Sequence, residues 1–262
     1  MNKKEFYLLV LIAHLCLTAC NCFAQSANTI INELGIINEA TKAYDNESYY
    51  VALSILDELY DKKIDSIPLY TPHFEGVVMY ADCLYYTGNI GKALAIYLEW
   101  QKRFEKLIEY GTDKHKYTEY DAYLFLQIGR CFYSTKQYGL AIPFLDKAKY
   151  YADPWEWTQR TAVICLSDSY YELGEKYKSS YVIDNYIDSY IIEKNYKLSD
   201  CWTKGYKDEL IAEMFYCRYF NTDSDNDKKY LIISAKWGNK DAIEKCKQKG
   251  ISYNTKPFVY EY

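Results

Sequence analysis

Along most of the chain, apolar and small residues recur every three or four positions, the spacing of helices with one buried face. The clearest instance is IGRCFYSTKQYGLAIPFLDKAKYYADP, residues 128–154. Ile128-Gly129 and Phe132 form one run, Tyr138, Ala141, Leu145 and Ala148 a second, and Asp153-Pro154 closes the segment. Small residues let two helices approach closely while large ones fill the space between them, so this spacing predicts a packed helical hairpin. The same template fits VVMYADCLYYTGNIGKALAIYLEW (Tyr80-Ala81, Leu84, Gly88, Ile90, Ala93, Tyr97) and INEATKAYDNESYYVALSILDELY (Ala40, Ala43, Tyr49, Ala52, Leu56, Leu59). It also fits AVICLSDSYYELGEKYKSSYVIDNYI (Leu166-Ser167, Tyr170, Gly174, Ser179, Ile183), where serines replace both helix-facing alanines.

These units resemble the tetratricopeptide repeat (TPR), a helix-turn-helix of about 34 residues. Numbered from Glu33, Phe74, Ala122 and Arg160, they start 41, 48 and 38 residues apart, with the extra length falling near SIPLYTPH and EYGTDKHKYTEY as longer second helices plus loops. The resemblance covers about Glu33 to Ile192 and implies an all-α fold, an αα-hairpin solenoid of the TPR-like right-handed superhelix type. Beyond it, DELIAEMFYCRYF reads as one helix and DSDNDKKYLIISAKWGNKDAIEKCKQKGI as two more, with Asp and Ser opening the first and Gly238-Asn239 between them. Ala235, Gly238 and Ala242 resemble the turn between units of the related Sel1-like repeat. The resulting organisation is residues 1–24 as a leader, 25–195 as TPR-like repeats, and 196–262 as a Sel1-like helical cap and tail, since end units of a solenoid are atypical.

The leader reading rests on MNKKEFYLLVLIAHLCLTACNCFAQS, a positive start followed by an apolar run from Phe6 to Leu17 that is too short to span a bilayer and ends in small residues. Leu17-Thr18-Ala19-Cys20 resembles a bacterial lipoprotein box, which makes Cys20 an acylated first residue. Cys22-Phe23-Ala24 before Gln25 instead suits an ordinary signal peptidase. Either cut predicts export to the cell envelope, with membrane attachment only through a lipid anchor.

Composition narrows the function. Acidic residues outnumber basic ones, 36 to 31, and the two are interleaved, which argues against a nucleic-acid partner. Cys83, Cys131, Cys165, Cys201, Cys217 and Cys246 are widely spaced without a CxxC pair, and read as small buried hydrophobes. His73 and His115 have no ligand partners at helical spacing, so no metal is expected. Asp223, Asp225 and Asp227 alternate as in a calcium loop, but Lys228 stands where that loop needs glycine and Ser234 where it needs glutamate. The run reads as helix capping. With no phosphate-binding glycine loop and no GxSxG motif, neither a cofactor nor catalysis is expected.

Tyrosine is the unusual component, 32 of 262 residues. In TPR proteins the first helix of each unit lines a concave groove, and its second, fifth, ninth, twelfth and thirteenth positions commonly touch a bound peptide. Carried over by position, the resemblance implies groove tyrosines at Tyr44, Tyr85, Tyr133 and Tyr171, the twelfth residue of every unit. The ninth positions are Thr41, Asp82, Arg130 and Asp168. Rings with hydroxyl tips beside alternating charge suit a protein or peptide partner. A glycan-binding surface lipoprotein and a hydrolase are the alternatives from other classes.

Overall fold

The structure, a computed structural model, describes residues 32–61, 73–110, 119–152, 157–193, 209–222 and 227–253. The leader with Cys20, the residues His115, Pro154, Cys201, Asp223 and Asp225, and the KPFVYEY tail lie outside the described residues. Every regular element among those described is helical. In chain order they are α1 (residues 32–45), α2 (Tyr49–Tyr60), α3 (His73–Tyr86), α4 (Ile90–Tyr110), α5 (Glu119–Ser134), α6 (Tyr138–Tyr151), α7 (Trp157–Glu172), α8 (Lys176–Glu193), α9 (Glu209–Thr222), α10 (Lys228–Lys236) and α11 (Lys240–Gln248). The four hairpins read from the sequence are α1/α2, α3/α4, α5/α6 and α7/α8. The second helix α4 absorbs part of the extra repeat length, at 21 residues. No described helix is long and apolar enough to cross a membrane.

All four hairpins turn in the same way. Glu47, Gly88, Lys136 and Gly174 have φ of 57°, 90°, 59° and 79°, a left-handed conformation at the fifteenth position of each unit. Their N–H groups donate to the carbonyls of Tyr44, Tyr85, Tyr133 and Tyr171, and the next residue's N–H donates to the carbonyl at the eleventh position. This paired closure satisfies carbonyls that the end of a helix leaves without partners. It also locks the register, so the twelfth-position tyrosines all occupy the last turn of a first helix. The α10/α11 turn repeats the geometry at Gly238 (φ 95°), where the Asn239 side chain accepts from the Ala242 N–H at 2.8 Å.

Packing follows the small-and-large pattern. The eighth and twentieth positions of the units, Ala40/Ala52, Ala81/Ala93, Gly129/Ala141 and Ser167/Ser179, are all buried. Gly129 leaves no room for a side chain: a Cβ there would sit 2.6 Å from Leu145 Cδ2 and 3.3 Å from the Leu145 backbone nitrogen. The fourth unit, the most divergent in sequence, replaces apolar contact with a polar cluster. Ser167 Oγ and Ser179 Oγ lie 2.9 Å apart, and Asn221 Nδ2 of α9 donates to both, at 3.0 and 2.6 Å. Buried hydroxyls cost free energy unless they find partners, so two serines are tolerated here because α9 brings the amide to meet them.

Contacts divide the chain into two compact units, one through Ala93 and one from Leu94, with the boundary inside α4. In the first, α2 packs on α3, with the buried Tyr60 and Tyr80 rings 5.9 Å apart. Tyr80 Oη donates to Asp57 at 2.7 Å and accepts from Lys92 at 2.8 Å, while Lys92 pairs with Asp61 at 2.6 Å. In the second, successive helices from α5 to α11 pack on one another, and the alternate pairs α5/α7 and α7/α9 also touch. Arg218 of α9 binds Asp184 of α8 at 2.6 Å and Asp227 at 3.3 Å, with its guanidinium 5.1 Å from the centre of the Tyr230 ring. Asp227 occupies the N-cap of α10 but makes no capping hydrogen bond, which corrects the capping role read from the sequence: the Arg218 charge outcompetes the backbone for its carboxylate.

Candidate functional site

The ninth and twelfth residues of a first helix are three apart and therefore share a face. Two inter-repeat hydrogen bonds join these positions across neighbouring units. Tyr44 Oη donates to Asp82 Oδ2 at 3.2 Å in the first compact unit, and Tyr133 Oη donates to Asp168 Oδ2 at 3.2 Å in the second. In both places the first residue of the following helix packs edge-on against the tyrosine: Tyr49 against Tyr44 at 5.5 Å and Tyr138 against Tyr133 at 5.8 Å. Burial, reinforced by the aspartate, pushes both bonded phenols well above the usual tyrosine range, so both stay protonated donors.

The remaining positions singled out in the sequence are placed as follows. Half-buried Tyr85 packs edge-on against Tyr86, which stacks on Tyr49 at 4.3 Å. Thr41 bonds back to the Ile37 carbonyl within its own helix. Arg130 donates to Gln127 Oε1 at 2.9 Å and holds its guanidinium 5.6 Å from the Trp157 ring centre. Tyr171 faces Phe220 at 5.7 Å.

Tyr133, Asp168 and Tyr171 line one cavity of about 320 Å³ between α5, α7 and α9, together with Glu213, Tyr216 and Phe220. Arg130 does not line it. The α9 residues escaped the reading by repeat position because α9 lies outside the four matched units. Their own signal is local: Glu213, Tyr216 and Phe220 are spaced by three and four residues, one face of DELIAEMFYCRYF. Burial, and then the Glu213 charge, raise the Asp168 carboxyl from 3.8 to about 6, against the lowering effect of hydrogen bonds from Tyr133, Cys217 and Asn221. Glu213 is also raised, by partial burial and then by Asp241.

The arrangement offers hydrogen-bond acceptors, π faces and negative charge, and its one thiol is not activated. Burial lifts that thiol, Cys217, well above its ordinary value, and pushes Cys83 and Cys165 up to about 12, which leaves all three protonated. Cys83, Cys131, Cys165, Cys217 and Cys246 are all buried, as the sequence spacing predicted. Among the described residues, no group of three or more His, Cys, Asp or Glu side chains is disposed to hold a metal.

No family model and no curated protein matches the sequence. Solved structures do match the fold: the nearly identical TPR-like repeats of a putative kinesin light chain from Podosopora anserina align with a TM-score of 0.56 at 11% identity, over 79% of this chain and 95% of that one. A variant of the same repeats aligns at 0.55 with 10% identity, over 82% and 95%. The chain therefore has an all-α, TPR-like helical-repeat fold.

Proposed function

We propose that the protein is a non-catalytic TPR-like scaffold of the bacterial cell envelope that binds a protein or peptide partner on the face formed by α5, α7 and α9. The observation that carries this reading is the α5/α7/α9 cavity, where groove positions of two successive repeats meet a third helix around tyrosine rings and carboxylates. Helices locked by left-handed turns and inter-repeat bonds hold this face ready, so binding loses little conformational entropy. Envelope location follows from the leader pattern, with acylation at Cys20 or cleavage before Gln25 as the two routes, and the mass of the mature amino terminus separates them. The C-terminal helices would serve as a Sel1-like terminal cap.

The experiment is affinity capture from envelope extracts with the intact mature protein, comparing wild type with Tyr133→Ala and Tyr171→Ala variants whose circular dichroism shows them folded. Loss of the partner in both variants supports the reading; undiminished capture by both sinks it.

A second reading, glycan binding, is favoured by one observation. Tyr150 and Tyr181, 77% and 55% exposed, border a cavity of about 380 Å³ with the amides of Gln159 and Asn185. Exposed rings beside amides suit sugar faces and hydroxyls. Retention on envelope polysaccharide that is lost in Tyr150→Ala/Tyr181→Ala would shift the function to this surface.

A further inference from the structure

We infer that the α5/α7/α9 cavity accepts a basic side chain, a lysine or arginine presented by the partner polypeptide. This rests on the reading of that face as a partner-binding surface and names the chemistry it selects.

Three observations converge. Asp168, Glu172 and Glu213 all border the cavity, no basic residue lines it, and among the described residues none of the three carboxylates has an ion-pair partner. The donors that do reach Asp168, from Tyr133, Cys217 and Asn221, are neutral and leave its charge uncompensated, as does the Asn239 amide that donates to Glu213 at 3.3 Å. Aromatic rings of α7 and α9 form the rest of the wall, interleaved with the carboxylates: Phe220 stands 5.7 Å from Tyr171 at 57° and 6.2 Å from Tyr216 at 36°, tilted rather than stacked. Carboxylates interleaved with aromatic rings form an environment that stabilises a cation, whose charge meets the anions while its methylenes and π contacts use the rings. Lys176, exposed beside this wall, already places its ammonium 5.6 Å from the Tyr171 ring centre and is an internal example of that contact.

Size points the same way. At about 320 Å³ the cavity stands at the small end of ligand sites, suited to one side chain and its flanking backbone rather than to a whole helix. The acidic character of the chain, net charge −5, favours the approach of a basic partner.

The test uses the intact mature protein and four defined peptides: acetyl-Gly-Lys-Gly-amide, acetyl-Gly-Arg-Gly-amide and their Gln and Glu counterparts, titrated while aromatic resonances are followed by NMR. The basic peptides are expected to shift Tyr171, Tyr216 and Phe220, at least tenfold more tightly than the Gln peptide, with affinity falling as salt is raised. Glu172→Gln/Glu213→Gln, which replaces two cavity carboxylates by amides of the same shape, is expected to weaken the basic peptides about tenfold, and Asp168→Asn likewise. Equal shifts from the Gln peptide, or unchanged affinity in both carboxylate variants, overturn the inference. Partner capture that survives these variants but fails in Tyr133→Ala removes only the basic-side-chain inference and leaves the scaffold reading standing. Basic-peptide binding that is lost in the carboxylate variants supports the inference even where no envelope partner is captured.

Discussion

Asp168 should destabilise the fold at neutral pH, and removing its charge should stabilise the protein. Its carboxyl rises from 3.8 to about 6 because burial, with repulsion from Glu213 added to it, penalises the ionised form more than Tyr133, Cys217 and Asn221 favour it. Each pH unit between folded and unfolded values is worth about 1.4 kcal/mol, so the ionised group costs the fold about 3 kcal/mol. The sign follows from proton binding. Between about pH 4 and pH 6 the folded state holds a proton that the unfolded state has released, so stability falls as pH rises through that window and the full cost is present above it. Asp168→Asn removes the charge and retains an oxygen to accept from Tyr133, though a weaker one, so a net gain of about 1–2 kcal/mol is expected at pH 7.5 and about none at pH 4. Urea unfolding followed by circular dichroism at several pH values, extrapolated linearly to water, measures the difference. A variant less stable than wild type at pH 7.5, or a difference that stays constant down to pH 4, would refute the argument. A stabilising loss of charge, combined with weaker basic-peptide binding, is the pattern of a residue kept for function.

Three further outcomes test the fold. Ser167→Ala/Ser179→Ala takes both hydroxyl acceptors from the Asn221 amide, leaving it only the Asp168 carboxylate, and should cost about 1–3 kcal/mol, while adding Asn221→Leu should recover only part of it; urea midpoints unchanged by the double variant count against the polar cluster as a matched set. Lys136→Gly relieves a left-handed φ of 59° and should raise stability by about 1 kcal/mol with an unchanged urea slope, and a lower midpoint contradicts the assigned turn strain. Gly129→Ala drives a methyl into Leu145 and should lower stability by about 1–3 kcal/mol, visible as a drop in Tm, whereas an unchanged Tm shows that α5 and α6 can separate at no cost.

Much of the fold was legible because the repeat carries redundant local signals. Small residues at Ala40, Ala81, Gly129 and Ser167 and at Ala52, Ala93, Ala141 and Ser179 mark where helices approach, and the glycines at 88 and 174 mark left-handed turns. Two turns carry Glu47 and Lys136 instead, yet adopt the same conformation, because the paired hydrogen bonds to the helix carbonyls hold the backbone there despite the Cβ. The candidate site was legible only in half. Tyr133, Asp168 and Tyr171 came from repeat position, whereas Glu213, Tyr216 and Phe220 sit on a helix with no match to the repeat. The serines that weakened the fourth unit are likewise explained by Asn221, 42 and 54 residues further on.

The sequence by itself determined the helical period, the hairpin register, the four hairpin units and the positions at which tyrosine and charge share a face, all consequences of local spacing and turn chemistry. Tertiary structure alone decided which of those side chains meet. Tyr44 and Tyr133 reach the aspartate of the next unit, Arg130 is drawn to Gln127 and Trp157, and α9 closes an acidic, aromatic cavity over α5 and α7. Partners at such distances along the chain are set by how whole helices stack, and no local pattern encodes that choice.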